Sequence, residues 1–256
     1  MAGFGTEARL REALCDYSRR LHARGWVANH DGNLSVRAGA ARVLCTPTAT
    51  SKAAVGADGI VLIESLEDAS RVVGRGKPPG EVNLHLCAYR ARPDVRAVVH
   101  AHPPTATAIG LAGSKLLERP LLPEAVVSLG PCVPTVPVAA PGKAAAAALA
   151  PFLCDYDAVL IAGNGVLAVG DDLEQAYLRL ELVEHLARIA LAAHQLGATP
   201  GLPAELLPAL LESRRKAGLG PEARKPAAPA AGPRAAGGDE VARLVREELV
   251  KALGKA

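Results

Sequence analysis

Apolar residues recur along this chain in two rhythms, and their alternation predicts a mixed α/β protein. Leu10, Leu14, Tyr17 and Leu21 fall at helical spacing between Thr6 and Arg24, ahead of a stop at Gly25. In Asn29–Arg37 the pattern changes, and Asp31-Gly32 is turn chemistry leading into a short strand. Arg42–Thr46 and Gly59–Ile63 read as strands, the first closed by Thr46-Pro47-Thr48. Between Pro79 and Pro93, the residues Val82, Leu86 and Tyr89 share one helical face. Val95–Ala101 is β-branched and apolar, the mark of a buried strand, and it runs into two histidines. Cys132–Val138 and Ala158–Val169 supply further strands, the second broken at Gly163-Asn164-Gly165. A long helix from Leu173 to about Gln195 follows, with Leu173, Ala176, Leu180, Val183 and Ala187 spaced for burial.

Both rhythms stop after Gly220. Residues 221–238 are Pro-, Ala- and Gly-rich and cannot bury enough apolar surface to offset their ordering entropy, so they read as a linker. Beyond it Val241, Val245, Leu249 and Leu253 recur every four residues, an amphipathic helix over 239–256 capped by Asp239. Such a helix is marginal alone in water, so it either docks on its own domain or binds something else. The expected organisation is a folded domain over 1–220, a linker and a detached C-terminal helix.

Composition narrows the function. Half of the 256 residues are hydrophobic, enough for one sizeable core. The net charge of +3 is spread without a basic block, and two Phe, four Tyr and one Trp offer little base stacking, which argues against nucleic-acid binding. The five cysteines (Cys15, Cys45, Cys87, Cys132, Cys154) are scattered and never form C-x-x-C, the pattern of reduced thiols in a cytosolic protein. The first twenty residues are charged throughout and read as no signal peptide, and no apolar run reaches the length of a membrane span.

The chemistry centres on VVHAHPP. His100 and His102 stand two apart on a strand and so project from one face, a spacing that suits one metal ion such as zinc, manganese or cobalt. Two imidazoles ending so apolar a strand need a reason for burial. Glu81, at the start of the helix leading back to that strand, would complete the coordination or act as a base; the alternative is a favourable charge at a helix N-terminus. In HDGNLS, Gly32 permits close backbone approach while Asn33 and Ser35 offer donors to a phosphate or sugar hydroxyl, or the segment is simply a tight turn. Thr46–Lys52 likewise either binds an anion through hydroxyls and Lys52 or solvates a loop.

Together these segments resemble the class II aldolase/adducin family. The resemblance is carried by GNLS at Gly32–Ser35, TPT at Thr46–Thr48, Glu81 four residues before His85, RPDVRAVVHAHPP at Arg92–Pro104, LPEAVVSLGP at Leu122–Pro131, and the stretch Gly165–Ala187, in the family's order. It implies a three-layer αβα fold with a central, mainly antiparallel sheet, assembled as a homotetramer with the site near a subunit interface. It implies Glu81 as the acid/base carboxylate and resting metal ligand, His100 and His102 as two of three metal histidines, and Gly32, Asn33 and Thr48 as phosphate-binding positions. The implied cofactor is one divalent ion per subunit, zinc foremost, with manganese or cobalt as alternatives. The implied reaction is aldol cleavage of a small sugar or sugar phosphate to an aldehyde and a ketone fragment such as dihydroxyacetone phosphate. Relatives of the same fold include epimerases, dehydratases, decarboxylases and the non-enzymatic adducin head.

The chain departs from the family at several points. Asn164 stands where the third histidine is usual, so either its amide oxygen, a poorer ligand than imidazole, ligates weakly or another group substitutes: His185, on the following helix beside Glu184, with His30 more distant. Pro79 and Gly80 replace a serine pair, Ala49 replaces the glycine after TPT, and no tyrosine follows Tyr177. The C-terminal linker and helix resemble the encapsulation peptides that direct enzymes into bacterial microcompartments. That resemblance implies a shell or cargo protein as partner; the alternative is a helix packed on its own oligomer.

Overall fold

The two rhythms become eight strands and seven α-helices in a computed structural model, which describes residues 6–198 and 201–224. In chain order these are α1 (Glu7–Ala23), β1 (Asn33–Arg37), β2 (Val43–Cys45), β3 (Val61–Ile63), β4 (Val72–Val73), α2 (Val82–Ala91), β5 (Ala97–Ala101) and α3 (Pro104–Leu111). Then come α4 (Pro123–Leu129), β6 (Thr135–Val136), α5 (Lys143–Leu153), β7 (Ala158–Ile161), β8 (Val166–Gly170), α6 (Leu173–Gln195) and α7 (Leu207–Lys216). The strands form one sheet in the order β4-β3-β2-β1-β5-β8-β7-β6. Every pairing is antiparallel except β6 with β7.

Alternation along each strand sends side chains into two separate apolar layers. Leu34, Val36, Val99, Ala101, Val166 and Ala168 pack against α1, α3, α4 and α6. Val43, Val61, Val98, Val159, Leu167 and Val169 pack against α2 and α5. The sheet is thus the middle layer of three. Both edge strands are only two residues long.

Four helices, α3, α4, α5 and α7, are not among those expected from the sequence, being short or alanine-rich. Proline stands in the first turn of α3, α4 and α7, where its missing N–H costs nothing, and α5 is an alanine run with Pro151 inside it. The strand expected over Cys132–Val138 shrinks to Thr135–Val136, because Pro134 and Pro137 flank it and cannot donate to a ladder.

One buried ionic cluster ties the layers together. Asp157, just ahead of β7, takes Arg92 at 3.1 Å, Arg179 at 3.1 Å and Arg214 at 2.7 Å. Arg214 also donates to the Val127 carbonyl at 2.8 Å, which fastens α7 to α4. Among the described residues no helix is long and apolar enough to cross a membrane. Most of the expected linker, and the whole C-terminal helix, lie outside the described residues.

Candidate metal centre

Three elements converge at one end of β5. Val98 faces the α2 layer, and by alternation so does His100, which is fully buried. His102 follows at the strand's end, before Pro103 and Pro104 turn the chain into α3. Glu81 is the N-cap of α2 and lies over this face. The ligating atoms of Glu81, His100 and His102 all lie within 4.8 Å of one another, the single such triad among the described residues.

Neighbours orient each ligand. His100 places Nδ1 2.9 Å from the Val166 carbonyl and Nε2 3.2 Å from Glu81 Oε1. His102 places Nδ1 3.2 Å from Asp31 Oδ2, and its Nε2 is buried with no hydrogen-bond partner. A carboxylate or carbonyl on one ring nitrogen fixes the tautomer and turns the other lone pair inward, the usual arrangement around a bound metal. Asp31 itself is pinned by the Ala28 N–H at 2.5 Å.

Glu81 is held on both oxygens. The Asn33 amide donates to Oε2 at 2.7 Å and the Asn164 amide to Oε1 at 2.7 Å. Burial opposes the charge on Glu81, but the charge and hydrogen bond of His100 and the two amides outweigh it and hold the carboxyl well below its ordinary range. Burial likewise opposes a charged His100, yet Glu81 holds its pKa above the ordinary value. His102 is depressed by burial and by the neighbouring His100 charge.

Two glycines make the approach possible. Gly165, at φ +75°, has no room for a side chain: a Cβ there would sit 2.3 Å from the Ala101 carbonyl and 2.6 Å from the His102 ring. Gly32, at φ +67°, would put a Cβ 2.5 Å from Val27 and 3.1 Å from the His100 carbonyl. Each lets a turn lie directly against the histidine strand.

A divalent metal fits this set. First-row ions bind imidazole and carboxylate at about 2.1 Å and so bridge ligand atoms about 4 Å apart, which the triad reaches with a small closure. The orphaned His102 Nε2 is the atom such an ion would satisfy.

The structure does not bring every expected residue here. His185 is exposed on α6, in a surface cavity of about 350 Å³ with Arg24, Trp26, Glu181 and Arg188, outside the triad. The reason is helical phase: adjacent Glu184 points inward and caps α3 through the Ala106 N–H at 2.9 Å, which turns His185 outward. His30 is also exposed. Asn33 is buried and bonded to Glu81 and His85, and Ser35 to His85 and Tyr89, so the hydrogen bonds of both lie within the protein. Thr48 is exposed, its N–H bonded to the Lys77 carbonyl at 2.9 Å, and Ala49 beside it holds a glycine-like φ of +52°. Lys52 is buried, its ammonium 3.0 Å from the Thr50 carbonyl and 3.4 Å from that of His30. Burial lowers its pKa against the pull of Asp31 and Glu81. A largely apolar cavity of about 500 Å³ opens beside Glu81 and Asn164, walled by Val136, Pro137, Val138 and Pro141.

The supports of the triad were not read from the sequence. Asp31 reads in the sequence as a turn residue, and His85 as part of the match to the family with no role of its own. The signal for His85 is its place four residues after Glu81, on the same helical face.

Residues 12–191 match the model of the Class II Aldolase and Adducin N-terminal domain. The 3-oxo-tetronate 4-phosphate decarboxylase of Escherichia coli strain K12 is 34% identical over 188 residues, covering 72% of this chain and 86% of the relative. The L-fuculose phosphate aldolase of Methanocaldococcus jannaschii is 30% identical over 175 residues, covering 68% of this chain and 91% of the relative. The crystal structure of YgbL from Escherichia coli superposes with a TM-score of 0.72 at 29% identity, over 80% of this chain and 99% of that one.

Proposed function

Because the chain belongs to the class II aldolase/adducin family, we propose that it is a divalent-metal-dependent lyase that decarboxylates a small phosphorylated keto acid of the sugar-acid type. The observation that carries this reading is the Glu81–His100–His102 triad with its orphaned Nε2, beside a cavity that opens on Glu81 and Asn164. In this reading Glu81, His100 and His102 hold the ion, zinc foremost, and Asn164 takes the place of the missing third histidine. A half-turn of its amide brings Oδ1 to the point Nδ2 now occupies. The bound ion supplies Lewis acidity beside the substrate keto group.

The protein's own groups do the rest. Glu81 is assigned to pass a proton taken from water to the substrate carbon that loses its carboxyl as carbon dioxide. Lys52 supplies positive potential on the Asp31 side, suited to an anionic substrate. Gly32 and Thr48 are assigned to its phosphate, through backbone groups and the exposed hydroxyl. Asn33 stays with Glu81.

Loss of carbon dioxide asks less of this chain than aldol cleavage, which must also remove a proton from a distant hydroxyl. Pro79 and Gly80 occupy the positions of the family's serine pair, and no tyrosine follows Tyr177 to move that proton. Aldol cleavage is the second reading, favoured by the similarity to the L-fuculose phosphate aldolase. One assay separates them: zinc- or manganese-loaded protein is given 3-oxo-tetronate 4-phosphate and a panel of ketose 1-phosphates. Carbon dioxide without aldehyde supports decarboxylation; aldehyde release replaces it with aldol cleavage; neither product from any substrate refutes the lyase reading.

The working form is proposed to be a cytosolic homotetramer, on the strength of the family. Residues 239–256 are proposed to dock on a microcompartment shell or cargo protein, on the strength of their sequence pattern alone. A chain ending at Gly220 that keeps its assembly but no longer co-purifies with shell proteins supports that role; one that loses its assembly refutes it.

A further inference from the structure

Polar side chains of α2 and β1 interlock beneath the metal centre. Glu81, His85 and Tyr89 stand four apart along α2, and Asn33 and Ser35 two apart along β1, so each set lines one face. Their contacts alternate between the two elements. Glu81 Oε2 meets Asn33 Nδ2 at 2.7 Å, and Asn33 Oδ1 meets His85 Nε2 at 2.6 Å. His85 Nδ1 then meets Ser35 Oγ at 2.7 Å, and Ser35 Oγ meets the Tyr89 hydroxyl at 2.8 Å. His85, Ser35 and Tyr89 are fully buried.

The direction of every bond follows from the donor inventory. A carboxylate only accepts, so Asn33 turns its NH₂ toward Glu81 and its carbonyl oxygen toward His85. His85 must then carry its hydrogen on Nε2. Burial holds this ring neutral, its pKa lowered to about 3, so Nδ1 is a bare lone pair. Ser35 gives its hydrogen to that lone pair and accepts the one from Tyr89. All four donors point toward Glu81, each polarising the next.

We propose that His85 is the positioning residue of Glu81: through this one-way chain it fixes the Asn33 amide, so that Oε2 is held by that amide and Oε1 is the oxygen turned to His100, Asn164 and the ion. The proposal rests on the reading of Glu81 as ligand and proton carrier. Without the Nε2–H the Asn33 amide is free to turn over, which would set its carbonyl oxygen against the carboxylate.

Two measurements on the full chain test it. In the metal-free protein labelled with ¹⁵N-histidine, His85 is expected to carry its proton on Nε2 near neutral pH. The opposite tautomer, or an imidazolium, overturns the chain. Zinc affinity is then compared by competition with a chromophoric chelator. His85→Gln keeps an N–H at the Nε2 position and is expected within about threefold of the native protein, whereas His85→Leu falls about 10–100-fold. Ser35→Ala, which frees the ring to change tautomer, falls between them and carries the comparison if His85→Leu does not fold. Equal losses in His85→Gln and His85→Leu, or in Ser35→Ala no loss at all, overturn the positioning role. If the native protein binds no zinc, the metal reading fails, and the tautomer alone decides whether the chain exists.

Discussion

Two buried polar clusters in this molecule use similar charges to opposite ends. Around Asp157, two carboxylate oxygens meet three guanidiniums, and those guanidiniums are anchored again on the carbonyls of Leu153, Val169 and Val127. Around Glu81, the carboxylate meets two amides and a histidine, and the neighbouring His102 keeps one buried nitrogen with nothing to bond. The first cluster is closed and binds layers together. The second is complete except at one atom, and a buried polar atom left without a partner costs free energy unless a ligand takes it up. Openness, rather than charge or burial, separates a site from a strut.

The contrast can be broken most severely at Asp157. Asp157→Ala leaves three buried guanidiniums without their shared anion and is expected to cost about 3–5 kcal/mol in denaturant unfolding. Zinc affinity of the fraction that stays folded should not change; a parallel loss would mean the clusters are not independent. His102→Ala should behave in reverse. Its metal-free stability stays near native, but the thermal stabilisation by zinc, about 2.7 kcal/mol at a hundredfold excess over Kd, disappears. A native-sized zinc shift in this variant would remove His102 from the site.

The pH response sharpens the same comparison. Burial lowers the His85 pKa to about 3, whereas the ring in the unfolded chain titrates at about 6.5. The unfolded state therefore binds the extra proton between these values. The ring's contribution is intact above about pH 6.5 and is lost as pH falls toward 3, at roughly 1.4 kcal/mol per pH unit. His85→Gln should flatten the acid limb of the stability curve by that slope; an unchanged limb would mean the ring titrates normally. The smallest effect is expected at Ala49, whose φ of +52° is a left-handed conformation that costs an alanine about 1–2 kcal/mol. After the entropy that glycine adds to the unfolded chain, Ala49→Gly should gain about 0.5–1 kcal/mol. A loss on calorimetry would show that the loop is not strained there.

Much of this was legible beforehand where one force dominates. The long helix was read at Leu173–Gln195 and is found there, because its apolar spacing is regular and Asp172 caps it by accepting from the Gln175 N–H at 2.8 Å. The convergence of Glu81, His100 and His102 was legible because a strand and the start of a helix impose the spacings that bring these residue types to one point. The short helix α5 was not, since its buried stripe of Ala146, Leu149 and Leu153 lies in a run of alanines that fills the outer face as well. The sequence also could not tell a polar side chain spent internally from one offered to a ligand. Asn33 and Ser35 were read as donors to a substrate and are committed to Glu81, His85 and Tyr89. The sequence did not show helical phase either: the inward position on α6 went to Glu184, which leaves its neighbour His185 exposed and outside the triad.

The sheet ends in Val72–Val73 on one side and Thr135–Val136 on the other, the second bracketed by prolines. A two-residue border offers an incoming strand almost no ladder to extend, and proline removes donors from what remains. Growth by sheet-to-sheet annealing, the common route to fibres and swapped dimers, is thereby closed at both rims. Among the described residues, helical faces and loops are thus what the molecule offers to a neighbouring copy, and the strand that carries His100 lies away from both rims.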